Sequence, residues 1–210
     1  MDVQFSALQI IILIFSVVLH EVMHGLIALK FGDTTAQRSG RLTLNPIPHI
    51  DLFGTILLPL FLKLTGSPVM LAWAKPVPVN PLNFSDIKKG ELFVSASGIL
   101  ANFGLAISGT ILFHLSRILH APGLIQAGFV YLVFINLILG VFNLFPIPPL
   151  DGSKIVLSLL PYNLAKEYQK IEKYGFLILI ALMVIPFGDS SLLQAVLGFF
   201  VSILSRLLGF

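Results

Sequence analysis

The sequence contains no cysteine. That excludes disulfides, thiolate metal sites and thiol catalysis, so any metal must be held by histidines and carboxylates. Charge is almost as scarce: 11% of the residues are Asp, Glu, Lys or Arg, against roughly 25% in a soluble globular domain. With 56% hydrophobic residues and a mean hydropathy of +0.95, the composition is that of an integral membrane protein in a lipid bilayer. No basic stripe interleaved with aromatics is present, so the 13 Lys and Arg behind the net charge of +3 are read as orientation signals, with no nucleic-acid partner. The first apolar run lacks a positive n-region, carrying Asp2 instead, and shows no small-residue cleavage site before His20. It is read as a retained span and not as a secretory leader. There is no internal repeat and no stretch polar enough to form an inserted soluble domain.

Long apolar stretches are present over 5–31, 91–119, 124–145, 174–187 and 192–208. Most approach the roughly 20 residues needed to cross a bilayer. A shorter stretch, 52–64, contains Gly54 and Pro59 and suits a re-entrant or tilted segment as well as a span. The 13 prolines at and between these stretches predict broken helices, because they free backbone groups that only neighbouring protein or a wet cavity can satisfy. Residues 41–45 alternate weakly and form the candidate strand. The expected fold class is an all-α polytopic membrane protein, with about five to six transmembrane helices, a re-entrant or short segment and a small extended β element near the active site.

The basic residues choose between topologies. If 52–64 dips in and returns, every Lys and Arg except Arg117 falls on one side, as the positive-inside bias requires. The N-terminus is then outside, in a multi-pass arrangement of the cell membrane. The ends of the first span and of the 124–145 span meet at the cytoplasmic face.

The first span contains His20-Glu21-Val22-Met23-His24. On a helix, residues four apart share a face about 6 Å apart along the axis, so both imidazoles can chelate one metal ion. A Glu between them can take a proton from water at the metal and return it to a leaving amine. Five His and four Glu in a chain of this length produce such a pattern by chance on the order of 0.002 times. The alternative is a buried histidine pair with Glu21 as an incidental partner, but three such residues at membrane depth are functional by default.

A catalytic zinc needs a third protein ligand and an open position. Asp151 in Asn143-Leu-Phe-Pro-Ile-Pro-Pro-Leu-Asp151-Gly152 ends the inward-running span and reaches the same depth as His20, which lies roughly 23 Å along its helix. Its other reading is the N-cap of a following helix. Pro146, Pro148 and Pro149 either simply stop the span or also line a water-admitting pocket. Asn143 either holds helices together or donates to the oxyanion formed at a scissile carbonyl. His49 and Asp51 receive no catalytic role, and His114 and His120 flank Arg117 at the outer end. A metal-ion relay and an inactive helix-binding protein are the competing uses of these residues.

HEVMH in one span and NLFPIPPLDG at the end of another resemble the site-2 protease family of intramembrane metalloproteases. GRLTLNPIPHID, AKPVPVNP and SGILAN extend the resemblance over most of residues 8–155. It implies one Zn2+ per chain held by His20, His24 and Asp151, Glu21 as catalytic acid and base, and Asn143 near the reacting carbonyl. It also implies a transmembrane protein or peptide as substrate. Residues 1–210 then form a single transmembrane metalloprotease domain, with a catalytic core at about 5–155 and C-terminal helices at about 170–210. Gly98 and Asn102 match the family's Gly-x-x-x-Asn element, with Ile99 where Pro is frequent. They are read as packing residues.

Overall fold

The computed structural model describes residues 3–57, 61, 64 and 73–210. Its first helix, α1 (Val3–Lys30), is an unbroken apolar run with no proline. At 28 residues it rises about 42 Å, more than the roughly 30 Å hydrocarbon core of a bilayer. It stops where Gly32 takes φ +102° and the Asp33 N–H returns to the Ala28 carbonyl at 3.0 Å, a left-handed closure that favours glycine.

Short elements follow: α2 (Thr35–Arg38), a 3₁₀ turn at Ile47–His49, a π-helical turn at Leu52–Leu57 and a 3₁₀ turn at Pro81–Asn83. Two further long helices are α3 (Ile87–Ile118) and α4 (Gly123–Leu144). The Asp86 carboxylate caps α3 by accepting from the Lys89 N–H at 3.0 Å. Pro122 opens α4, and Phe145 turns extended ahead of Pro146, so the chain leaves the helix where the sequence predicts. The remainder comprises α5 (Asp151–Leu159), α6 (Tyr162–Gln169), α7 (Gly175–Val184), strands β1 (Pro186–Phe187) and β2 (Ser190–Ser191), and α8 (Leu192–Leu207), which starts on a Ser191–Gln194 capping box.

Among the described residues, α1, α3 and α4 are the three helices long and apolar enough to cross a membrane. Helix α7 stops at Val184 because Pro186 breaks its apolar run, and at 10 and 16 residues α7 and α8 both fall short of about 20. Of the expected dip over 52–64, Leu52–Leu57 form the π-helical turn, and 58–60, 62 and 63 lie outside the described residues.

The small β element lies elsewhere than expected. It is an antiparallel hairpin of β1 and β2 between α7 and α8, with Pro186 opposite Ser191. Residues 41–45 form bends, not a strand. The Arg41 side chain turns inward to the carbonyls of Lys75 and Pro76, while the Asn45 side chain accepts from the Ile47 N–H, so this backbone follows its side chains and not a ladder.

Helix α3 is the central element: α1, α4 and α5 all pack against it, and α8 lies along α4. One buried cluster joins Ala106, Val133, Leu137, Val141 and Val201, and a second joins Ala28, Phe84 and Val94 beneath the loop that precedes α3. Large apolar side chains such as Ile10, Ile11, Ile107 and Ile111 face outward from α1 and α3, the arrangement for which lipid and not water is the solvent.

Candidate metal centre

Helix α1 presents His20 and His24 from one face, toward the start of α5. The His20 Nε2 lies 3.1 Å from Asp151 Oδ2, the His24 Nε2 lies 3.2 Å from the same oxygen, and the two Nε2 atoms are 2.9 Å apart. All three side chains are buried. Asp151 stands at the first position of α5, and its carboxylate is turned to the histidines and not to a cap. Gly152 lets α5 begin there: a Cβ would strike the carbonyl oxygens of Leu144 and Phe145.

These separations have hydrogen-bond length, yet the protons are elsewhere. The His24 Nδ1 lies 2.7 Å from the Val94 carbonyl, which can only accept, so Nδ1 donates and Nε2 keeps its lone pair. The His20 Nδ1 lies 2.6 Å from Asn102 Oδ1 and is likewise the donor. Two bare imidazole nitrogens and a buried carboxylate oxygen without a hydrogen-bond donor therefore converge on one point. Tetrahedral zinc with ligands at about 2.0–2.2 Å places its donor atoms roughly 3.3–3.5 Å apart, a few tenths of an ångström more than these. Donor set, burial and spacing fit a zinc ion.

Glu21 belongs to the same cluster, its donor atoms and those of both histidines lying within 4.8 Å of one another. Its Oε2 accepts the Val77 N–H at 2.7 Å. A cavity of about 520 Å³ reaches His20, Glu21, His24, Asn143 and Asp151. Asn143 thus lines the site, with one amide N–H given to the Leu139 carbonyl at 3.0 Å. Lys154 approaches the second Asp151 oxygen at 4.0 Å but is largely exposed, so that ion pair contributes little.

One cavity wall is the extended segment around Pro76–Val79, held by two buried charges. Arg41 Nη2 donates to the carbonyls of Lys75 at 2.7 Å and Pro76 at 3.3 Å. Asp33 accepts from the Asn80 N–H at 2.7 Å, the Asn83 amide at 2.8 Å, the Thr35 N–H at 3.0 Å and the Thr35 hydroxyl. Burial pushes the Asp33 carboxyl up, but these donors, the Thr35 hydroxyl first, outweigh it and hold its pKa below the ordinary 3.8.

Two residues read from sequence as packing prove to touch the histidines. Asn102 is fully buried and bonded to His20, and Gly98 lies against both rings. The readable signal was an amide in an apolar span, a costly placement that calls for a named partner. His49 and Asp51 lie apart from the site: the His49 Nε2 donates to the Thr43 carbonyl at 3.0 Å, and Asp51 accepts from the Gly54 N–H at 2.6 Å. His114 lines a separate shallow cavity with Arg117.

The model of peptidase family M50 matches residues 117–186, the third of the chain that carries Asn143 and Asp151. The "Putative zinc metalloprotease" YwhC of Bacillus subtilis (strain 168) is 39% identical over 189 residues, covering 86% of this chain and 81% of the relative. Rip2 of Mycolicibacterium smegmatis, under the same description, is 28% identical over 187 residues, covering 88% of this chain and 70% of the relative. Rip2 of Mycobacterium tuberculosis (H37Rv) is 30% identical over 174 residues, covering 81% and 64%. No solved structure matches. The apolar helices and these relatives together define the class as a membrane metalloprotease. The chain belongs to peptidase family M50, the site-2 protease family, and is a zinc metalloprotease, as the HEVMH and NLFPIPPLDG motifs led us to expect.

Proposed function

We propose that this protein is an intramembrane endopeptidase, multi-pass in the cell membrane, that hydrolyses peptide bonds within or next to transmembrane segments of other membrane proteins. Residues 1–210 act as one transmembrane domain, with the core at about 5–155. Helices α7 and α8 add to the three long helices in a fold of about five to six transmembrane helices, with 52–64 as its re-entrant or short segment. The observation that carries the reading is the convergence of His20 Nε2, His24 Nε2 and Asp151 Oδ2 beside Glu21, on helices whose outer surfaces are apolar.

His20, His24 and Asp151 would hold one zinc ion, which when bound would supply the Lewis acidity that activates water near neutral pH and polarises a carbonyl. Glu21 takes a proton from the attacking water and passes it to the departing amine nitrogen as the C–N bond breaks. The Val77 N–H, 2.7 Å from Oε2, fixes the plane of that carboxylate. Asn143, with one N–H engaged by Leu139, offers its second to the oxyanion at the scissile carbonyl. A substrate helix hides its carbonyls in its own hydrogen bonds, so it enters this cavity locally unwound.

The test is purified protein with bound zinc quantified, incubated with a reporter whose cleavable segment spans the bilayer, and with the same segment as a free peptide. Zinc in both the unsubstituted protein and Glu21→Gln, with cleavage of the spanning reporter only by the former, is expected. Equal cleavage by Glu21→Gln would overturn the role of Glu21. Cleavage confined to the free peptide would overturn the intramembrane reading.

A further inference from the structure

Behind His20, Asn102 opens a chain of polar side chains that runs on away from the catalytic site. The Asn102 Nδ2 donates to Asn136 Oδ1 at 2.9 Å, and the Asn136 Nδ2 donates to Ser16 Oγ at 2.8 Å and to the Leu132 carbonyl at 2.9 Å. The Ser16 hydroxyl donates to the Ile12 carbonyl at 2.8 Å. Ser16 on α1, Asn102 on α3 and Asn136 on α4 are all fully buried inside helices that cross the membrane. Three uncharged polar groups at that depth are costly unless each is satisfied.

Both outer ends of the chain are backbone carbonyls, which only accept. The direction of every bond follows. The Leu132 carbonyl compels Asn136 to present its NH₂ on that side, so its oxygen faces Asn102. The Asn102 NH₂ must then point to Asn136, and its oxygen to His20. A flipped Asn136 would set its oxygen against the Leu132 oxygen, and a flipped Asn102 would present an NH₂ to His20 Nδ1. His24 needs no such device, because the Val94 carbonyl sets its tautomer directly.

We propose that Asn136 is a positioning residue for the metal centre: acting through Asn102, it holds His20 in the Nδ1–H tautomer that leaves Nε2 free for zinc, and so sets zinc affinity. The inference rests on the zinc site proposed above. Partners that orient a metal-bound histidine are typically worth 10–100-fold in affinity.

Zinc affinity is measured by chelator competition on the full chain in detergent. Asn102→Leu is expected to weaken binding by about 10–100-fold and Asn136→Leu on the order of tenfold. The double variant should be no weaker than Asn102→Leu alone, because Asn136 acts only through Asn102. Asn136→Asp, held protonated at this depth, keeps an acceptor for the Asn102 NH₂ and a donor for the Leu132 carbonyl, and should restore affinity to within about twofold of the unsubstituted protein. Wild-type affinity in Asn136→Leu, or additive losses in the double variant, would overturn the proposal. Should Asn136→Leu fail to fold, ¹⁵N-histidine NMR of the unsubstituted, metal-free protein at mildly alkaline pH decides it. The His20 signal, assigned by its loss in His20→Ala, is expected as the Nδ1–H tautomer, and an Nε2–H tautomer would sink the inference. Failure of the zinc site itself is distinguishable: zinc would then remain bound in His20→Ala.

Discussion

The backbone of Gly98 lies so close to the ring of His20 that a Cβ on it would sit 2.6 Å from Cε1 and 2.7 Å from Nε2, with His24 Cε1 at 2.5 Å. His20 and His24 are therefore held from behind by Asn102 and Val94 and from the side by a bare stretch of α3. Any side chain at 98 pushes both rings away from Asp151. We expect Gly98→Ala to bind zinc at least about tenfold more weakly, as loss of a ligand-orienting contact does. Equilibrium dialysis against zinc, with thermal unfolding as the folding control, checks this.

Asp151 reaches the histidines only because α5 starts hard against the end of α4. Gly152→Ala places a methyl against the Leu144 and Phe145 carbonyls, which are backbone and cannot swing aside. The start of α5 must shift, and Asp151 with it. The expected result is loss of both bound zinc and cleavage, like that of Asp151→Ala. Full zinc content in a folded Gly152→Ala protein would count against this account.

The Val77 N–H on Glu21 separates base orientation from metal binding. Val77→Pro removes that donor from a segment that already carries Pro76 and Pro78. One charge-assisted hydrogen bond is worth about 1.5–3 kcal/mol, or roughly 10–150-fold. Cleavage should fall within that range at saturating substrate, with zinc content unchanged. A parallel fall in zinc would show that the segment supports the metal site as a whole.

Acid should loosen the same segment from its other end. The folded-state pKa of Asp33 lies below its ordinary value, so its stabilisation is complete above about 4 and is lost as pH falls through the depressed value. Asp33→Asn should remove this acid sensitivity and lower stability at neutral pH by roughly 2–3 kcal/mol, since several donors lose a charged acceptor. Melting curves of both proteins from neutral to acid pH read this out: they should converge at low pH, and parallel curves would refute the assignment.

The long spans and the chemistry-bearing motifs were legible along the chain. Apolar runs mark α1, α3 and α4 because a bilayer demands length and hydrophobicity together, both local properties. HEVMH was readable because helical periodicity alone puts His20 and His24 on one face. Asp151 could be joined to them only by balancing positive charges across the membrane, an argument about depth and not about contact.

The rest was decided in three dimensions. Residues 41–45 looked like a strand because alternation is a weak local signal; the inward pull of Arg41 on the Lys75 and Pro76 carbonyls overrode it. Helix α7 came out shorter than its apolar run because Pro186 breaks it and a hairpin takes up the residues that follow, whereas α8 fills its run almost to the end. Asn136 and Ser16 carry no motif, and the Gly-x-x-x-Asn match of Gly98 and Asn102 left them read as packing residues, because what distinguishes all four is which partner each meets across α1, α3 and α4. Helical periodicity sets which face a side chain occupies, whereas the packing of three helices sets what that face touches. The donors of the proposed metal centre are therefore written in the chain, and the tautomers that would make the histidines ligands are fixed only by the fold.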